Sequence, residues 1–330
     1  MTSIVNKLTP VTSTQKKNVR IAPKTERYHK TLLSQIESMD QIEIGEICTS
    51  EPKKSKLRVA AWNLERCYFV DDTANYLRKI NPDIILLSEL DYGMSRTAQK
   101  HTARELSHLL GMEYAYAVEF FEIGLGTELE IKEYCKDRVN NLGWHGNAIL
   151  SRLPMTKHRL IRLDDHGHWF CLNQNVDPNQ PRVGGRLALA VEINGACFVS
   201  THLESAADSK HRFEQMKILF NAIDQNFPSL PTLIGGDLNT GNNLPPTYSW
   251  QNESLFGLST ERGYDWSFNA NGYTTRPSLI TPNPTRKMKL DWFLARNLSI
   301  SESGIEASLG ETGLPLSDHD CIWCDVSFEA

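Results

Sequence analysis

The chain has 330 residues, 40% hydrophobic and 23% charged, with a net charge of −5. This composition excludes a disordered, collagen-like or disulfide-stapled chain and leaves room for one large folded unit or two average ones. No apolar run approaches the ~20 residues of a membrane helix, and Met1–Lys17 lacks the apolar centre of a secretory signal, so a cytoplasmic protein without a transmembrane segment is expected.

The charge is uneven. Residues 1–56 carry ten Lys/Arg and six Asp/Glu, a net +4, which leaves −9 on the remainder. An acidic body is a poor generic binder of polyanions, whose phosphates are held largely by Lys and Arg. The seven cysteines are scattered, as buried thiols are. Cys321 and Cys324 share a strand-like run, where positions i and i+3 face opposite sides, so they do not read as a zinc knuckle or redox pair.

In chain order, residues 1–25 are polar and read as loosely attached. Tyr28, Leu32, Leu33 and Ile36 recur at helical spacing, which predicts an appended helix within an extension spanning 1–56. The dense part, 57–330, reads as a single folded domain. Leu57–Leu64 predicts a buried strand with Asn63 near its end. A helix capped at Asp71 or Asp72 follows and stops at Asn81-Pro82. Asp83–Leu90 is a second buried strand, ending in Ser88-Glu89. Ser95–Leu110 predicts a helix stopped by Gly111, and Glu113–Phe120 a strand. The acid-rich stretch 119–137 reads as a solvated loop.

Gly143-Trp144-His145-Gly146-Asn147 leads into the strand Ala148–Ser151. His166-Gly167-His168 has the spacing of a chelator, but reads as a polar loop. Asn194-Gly195 predicts a hairpin between Arg186–Ile193 and Ala196–Thr201, with His202 following. Ala206–Phe227 is amphipathic, with Phe213, Met216, Leu219, Phe220 and Ile223 on one face. Leu233–Asn239 follows, an apolar run ending in Gly235-Gly236-Asp237-Leu238-Asn239. If its extended geometry continues, Asp237 and Asn239 point the same way. A long segment, Thr240 to Lys289, is rich in Asn, Gly, Pro and aromatics. The strand Leu290–Leu294, with Asp291, and the motif Ser317-Asp318-His319-Asp320 before a final strand complete the chain.

One pattern recurs. Buried strands end in chemically useful polar residues at Asn63, Glu89, His202, Asp237 with Asn239, and Asp291, and Asp318-His319 stands at the entry to the last strand. Two imidazoles, several carboxylates and two amides at strand ends describe a site on the rim of a sheet.

The ordered set Trp62-Asn63, Ser88-Glu89, Gly146–Ser151, Thr201-His202-Leu203, Gly236–Asn239, Leu290–Phe293 and Ser317-Asp318-His319 resembles the endonuclease/exonuclease/phosphatase superfamily over about Leu57 to Phe328. The resemblance implies an α/β (α+β) fold: a four-layer α/β/β/α sandwich of two packed mixed sheets with helices outside. It also implies roles. Glu89, Asn63 and Asp318 match the residues around a divalent metal, Mg²⁺ or Mn²⁺. His319 matches the imidazole at the reacting phosphate, and Asp291 its carboxylate partner. His202 matches a second imidazole. Asp237 and Asn239 match the pair that orients water and phosphoryl oxygens, and Asn147 a positioning amide.

The implied reaction is metal-dependent hydrolysis of a phosphoester by in-line attack of water on phosphorus. The acidic body favours a small-molecule or lipid-derived phosphoester. A nuclease is the alternative, for which aromatics in 248–273 would stack bases and Arg286, Lys287 and Lys289 would meet phosphates. A non-catalytic phosphate-binding protein is the third reading, and the full complement of acids and imidazoles speaks against it.

Overall fold

The computed structural model describes residues 2–45, 53–171 and 180–328. In chain order these form β1 (Ser3–Val5), α1 (Ser13–Ile21), α2 (Glu26–Gln35), β2 (Gln41–Gly45), β3 (Lys56–Arg66), α3 (Val70–Ile80), β4 (Ile84–Tyr92), α4 (Thr102–Leu110) and β5 (Glu113–Glu122). Then come α5 (Glu128–Glu133), β6 (Trp144–Ser151), β7 (Met155–Arg162), β8 (Arg182–Gly184), β9 (Leu187–Ile193), β10 (Ala196–His202) and α6 (Ser209–Asn226). The last are β11 (Thr232–Asp237), α7 (Leu255–Glu261), β12 (Asp291–Arg296), β13 (Ser299–Glu306) and β14 (Cys321–Ser327).

Two mixed sheets result. The larger runs β1-β2-β5-β6-β4-β3-β14-β13, with β8 beside β5, and the smaller runs β12-β11-β10-β9-β7. Strand alternation builds the layers. Val59 and Ala61 of β3, Ile84 and Leu86 of β4, Leu189 and Val191 of β9, and Phe198, Leu233 and Phe293 fill the space between the sheets. The alternate positions Ala60, Trp62, Ile85 and Leu87 pack under α3 and α4. On the far side, Val199, Ile234 and Leu294 pack against Met216, Leu219, Phe220 and Ile223 of α6. The expected α/β/β/α sandwich is what forms.

Each sheet is organised on a parallel pair joined by a helix: β3 and β4 through α3, and β10 and β11 through α6. Parallel strands end at the same edge, so both pairs deliver their carboxyl ends to one rim. β12 runs antiparallel to β11 and β14 antiparallel to β3, so the starts of these strands reach that rim as well. Cys321 faces the helices and Cys324 the inter-sheet core, on opposite sides as their spacing requires.

Three expectations are corrected. Residues 2–25 are not loosely attached. β1 pairs with β2, which pairs with β5, and Leu8, Val11 and Val19 are buried in the outer core of the larger sheet. Here a few apolar residues outweigh a polar average. The predicted helix 95–110 is broken: a short 3-10 turn at Ser95–Thr97 is followed by Ala98 and Gln99 at φ 53° and 60°, and α4 starts only at Thr102. The break accompanies Arg96, whose buried guanidinium grips Asp91 through Nε and Nη2 at 2.8 and 2.9 Å.

The stretch 119–137 is not simply a solvated loop. β5 runs through Glu122, α5 follows, and Glu119, Glu122 and Glu130 are buried. Arginines distant in sequence neutralise them: Arg186 on Glu119 at 3.2 Å, Arg96 on Glu122 at 3.1 Å, Arg66 on Glu130 at 3.4 Å.

Candidate active site

The rim is shaped by departures from regular strand. Pairing of β3 with β4 slips after Asn63–Ser88, and pairing of β4 with β6 slips between Leu87 and Leu90. Glu89 sits in this bulge at φ 57°, a left-handed conformation uncommon for a residue with a Cβ. Glu65, Arg66 and Cys67 follow suit at φ 43°, 81° and 58°. In the smaller sheet His202 lies directly beside Asp237. The preceding glycines are required there. Gly236 has φ 145°, and a Cβ would lie 2.0 Å from the Thr201 carbonyl oxygen. A Cβ on Gly235 would lie 2.7 Å from the Phe293 ring.

The first cluster is Asp291, His319 and Asp237. Nδ1 of His319 is 2.8 Å from Asp291 Oδ2, and its Nε2 is 3.6 Å from Asp237 Oδ2. The three residues bring metal-ligating atoms within 4.8 Å of one another. Burial alone would lower the His319 pKa, but Asp291, then Asp237 and Asp318, raise it well above the ordinary value. The shift favours the protonated ring beside Asp237. Trp62 Nε1 donates to the His319 carbonyl at 2.8 Å, and the His319 N–H donates to Ser317 Oγ at 3.0 Å, fixing the backbone that carries the ring.

The second cluster centres on Glu89. Asn63 Nδ2 donates to Glu89 Oε1 at 3.2 Å and to Asp237 Oδ2 at 3.1 Å, so this amide joins the two sheets' contributions. Arg66 Nη1 donates to Glu89 Oε2. Burial would raise the Glu89 carboxyl, but Arg66, His145, His202 and Arg186 hold it well below its usual range. Asp318 is pushed up to about 6 by burial, with Glu89 and Asp237 adding to the effect. Its backbone N–H donates to Glu65 Oε2 at 3.1 Å, and Glu65 Oε1 accepts from Ser278 and Thr281 at 2.7 and 3.0 Å. These oxygens suit a hard divalent cation, which would relieve the crowding that raises Asp318. Glu89 and Asp318 would hold it, provided Arg66 shares Glu89.

The remaining expected residues are placed differently. His202 lies between Glu119 and Asp237, its Nδ1 and Nε2 each 3.5 Å from a carboxylate oxygen. Asn147 is fully buried on β6. Its Nδ2 donates to the Leu187 carbonyl at 3.2 Å, while its Oδ1 has no hydrogen-bond partner. Asn239 does not continue the strand: at φ 52° it turns away, so Asp237 and Asn239 do not share a strand face. Asn239 Nδ2 donates to the Leu203 carbonyl at 2.9 Å, and its backbone N–H donates to Asp237 Oδ1 at 2.8 Å.

The sequence reading missed the arginines. Arg186 Nη1 is 2.8 Å from His202 Nδ1 and Nε is 3.3 Å from Glu204. Arg96 and Arg182 meet Glu122, and His145 Nδ1 is 2.8 Å from Asp91. The one local signal was Arg66, three residues beyond Asn63. Arg96 also has a near partner, Asp91, five residues before it, whereas Arg182 and Arg186 meet their carboxylates through sheet topology.

A family model for the Endonuclease/Exonuclease/phosphatase family matches residues 60–319. The chain belongs to this family of phosphoester hydrolases. An endonuclease/exonuclease/phosphatase structure from Beutenbergia cavernae is 20% identical, covering 84% of this chain and 72% of its own, with a TM-score of 0.60. The human Nocturnin catalytic domain with bound sulfate is 16% identical, covering 87% and 97%, at 0.54. A mannosyl-6-phosphatase from Bacteroides thetaiotaomicron is 15% identical, covering 82% and 100%, at 0.54. At these identities the likeness shows the fold. No curated protein sequence matches the chain. Among the described residues, no helix is long and apolar enough to cross a membrane.

Proposed function

We propose that the protein is a divalent-metal-dependent phosphoesterase acting by in-line attack of water on phosphorus, with a small-molecule or lipid-derived phosphoester as substrate. The observation that carries this reading is the convergence of Asp291–His319–Asp237 and Asn63–Glu89 on one rim, bridged by the Asn63 amide. Such a rim combines a proton-holding imidazole, a carboxylate beside it and hard oxygen ligands.

In this reading Asp237 orients the attacking water, with Asn239 holding it through its backbone N–H. The water's proton passes to Asp237, and the bond to the leaving oxygen breaks on the opposite face, the oxygen departing with the bonding pair and taking a proton from solvent. His319 keeps its proton, shared through Nδ1 with Asp291, and donates from Nε2 to a phosphoryl oxygen as negative charge grows there. His202 contributes a second donor beside Asp237. A divalent cation on Glu89 and Asp318, Mg²⁺ or Mn²⁺, would supply further charge neutralisation. Asn147, with its unused Oδ1, would position water or substrate.

The test is turnover of a panel of phosphomonoesters and diesters with Mg²⁺ or Mn²⁺, with and without chelator. Chelator-sensitive hydrolysis that disappears in His319→Ala is expected. Turnover insensitive to chelator, or undiminished in His319→Ala, would overturn the assignment.

A further inference from the structure

A second cluster of ligating side chains gathers where the loop after β7 meets the start of α6. Asp164, Asp165 and His166 bring one ligand atom each within 4.8 Å of one another. His211, in the first turn of α6, adds a second imidazole, with its Nε2 3.3 Å from Asp164 Oδ2. His166 and His211 both open into a cavity of about 370 Å³, which Asp208 and Glu214 also line. None of these residues takes part in the proposed hydrolysis.

The contact between Asp164 and His211 is too wide for an ordinary ion pair of this chain. Asp164 is only 5% exposed. Its Oδ1 accepts the His166 N–H at 2.8 Å, which fixes the carboxylate, while its Oδ2 has no hydrogen-bond partner and neither has His211 Nε2. Imidazole–carboxylate hydrogen bonds elsewhere are shorter: 2.9 Å for His101 and Glu43, and 2.8 Å for His145 with Asp91 and for His319 with Asp291. Spacing this wide recurs where His202 and His319 face Asp237, at 3.5 and 3.6 Å. Two ligands of a four-coordinate zinc ion, each bonded at about 2.0–2.2 Å, stand roughly 3.3–3.6 Å apart. Asp164 Oδ2 and His211 Nε2 have that separation.

His166 is oriented as a third ligand. Its Nδ1 is 2.7 Å from Glu26 Oε1, which leaves Nε2 for a metal. A metal-bound imidazole characteristically has its other nitrogen held by a carboxylate in this way. The side chains of His166 and Glu26 are 63% and 51% exposed, so the pair can close on Asp164 and His211 without disturbing the core. Asp165 Oδ1 is 4.0 Å from His166 Nε2, but Lys30 Nζ also approaches it, at 3.6 Å. Asp165 therefore competes with water for a fourth position.

We propose that Asp164, His166 and His211 form a second metal site, for a divalent ion of the zinc class. Two imidazoles with a carboxylate suit Zn²⁺, whereas Mg²⁺ prefers an all-oxygen shell and keeps several waters. The ion would tie the end of β7 to the start of α6 and, through Glu26, to α2 of the N-terminal extension. It would also steady Trp169 of the same loop, whose Nε1 donates at 3.0 Å to Glu204, the acid paired with Arg186. The role is structural, and it stands whether or not the rim hydrolyses phosphoesters.

The test is calorimetric titration of the chelator-treated full chain with zinc chloride in excess Mg²⁺, together with the thermal midpoint at each zinc concentration. One Zn²⁺ per chain is expected to bind and to raise the midpoint. Affinity should fall at least about 100-fold in His211→Ala and about tenfold in Glu26→Gln, which removes only the outer carboxylate. His166→Ala alters an exposed side chain and should also weaken binding, which keeps the test open if removing His211 harms folding. Asp237→Asn, which removes a carboxylate of the rim, should leave zinc binding and the midpoint rise intact. Zinc binding undiminished in both His211→Ala and His166→Ala, or lost in Asp237→Asn alone, would place the ion at the rim and overturn the proposal. Absence of zinc binding to the parent chain would reduce Asp164 and His211 to an ion pair and overturn it equally.

Discussion

The rim holds two groups of buried carboxylates that are handled in opposite ways. Around Glu89, each acid has a guanidinium within reach: Arg66 on Glu89 and Glu130, Arg96 on Asp91 and Glu122, Arg186 on Glu119 and Glu204. Around Asp237 the company is imidazole and amide: His202, His319 and Asn63. A guanidinium is permanently charged, so the first group is a fixed electrostatic frame. In the proposed reaction Asp237, beside imidazole and amide donors, takes a proton from water while His319 holds its own, so the second group can do chemistry. Two neighbouring clusters thus divide the fixed charges from the proton-exchanging ones, with Glu89 and Asn63 at their boundary.

Removing a cation from the frame should show the largest effect. Arg96 is 2% exposed and bonds Asp91 and Glu122. Arg96→Met leaves both acids buried without it, which should cost about 3–5 kcal/mol. The urea midpoint checks this, and an unchanged midpoint would break the division. Asp237→Asn should do the converse. Turnover should fall by ~10²–10³ while the urea midpoint moves little, because the amide oxygen can still accept from Asn63 or from the Asn239 N–H.

Acid tests the frame more gently. Burial would raise the Glu119 carboxyl, but Arg186 and then His202 hold it at about 2 in place of 4.5. The folded value lies below the unfolded one. Its contribution is therefore fully present above pH 4.5 and is lost as pH falls towards 2. The loss should be on the order of 2–3 kcal/mol. Urea midpoints between pH 5 and 2.5 should fall less steeply in Glu119→Gln than in the parent chain, and parallel slopes would count against a fixed frame.

The division also explains what the sequence disclosed. Asn63, Glu89, Asp237, Asp291 and His319 each follow or precede an apolar run, so a strand-end pattern exposes them, and the sandwich follows from the same runs. The frame leaves no such trace. Arg186 meets Glu119 across 67 residues because it follows β8, whose Gly184 pairs with Phe120 of β5. An acid-rich stretch such as 119–137 looks solvated until its distant partners are known. Asn239 departs from the pattern for another reason: alternation along a strand predicts direction only while the strand lasts, and β11 ends at Asp237. The N-terminal residues read as loose because Leu8, Val11 and Val19 are too sparse to show a period, although each finds the core.

The smallest expected effect isolates burial as the reason the frame matters. Asp224 is bonded by Arg296 at 2.7 Å and by Arg262 at 3.3 Å, a pairing as complete as that of Glu119. The difference is solvent: the Asp224 side chain is 41% exposed. Water and salt screen such a pair, and freeing it leaves no charge stranded in a low dielectric. Asp224→Asn should therefore shift stability by only about 0.2–1 kcal/mol, and that shift should shrink further in 0.5 M salt. A loss comparable to that of Arg96→Met would mean that pairing itself, and not its burial, stabilises the chain. The contrast between the guanidinium-bound and imidazole-bound acids would then have to rest on proton mobility alone.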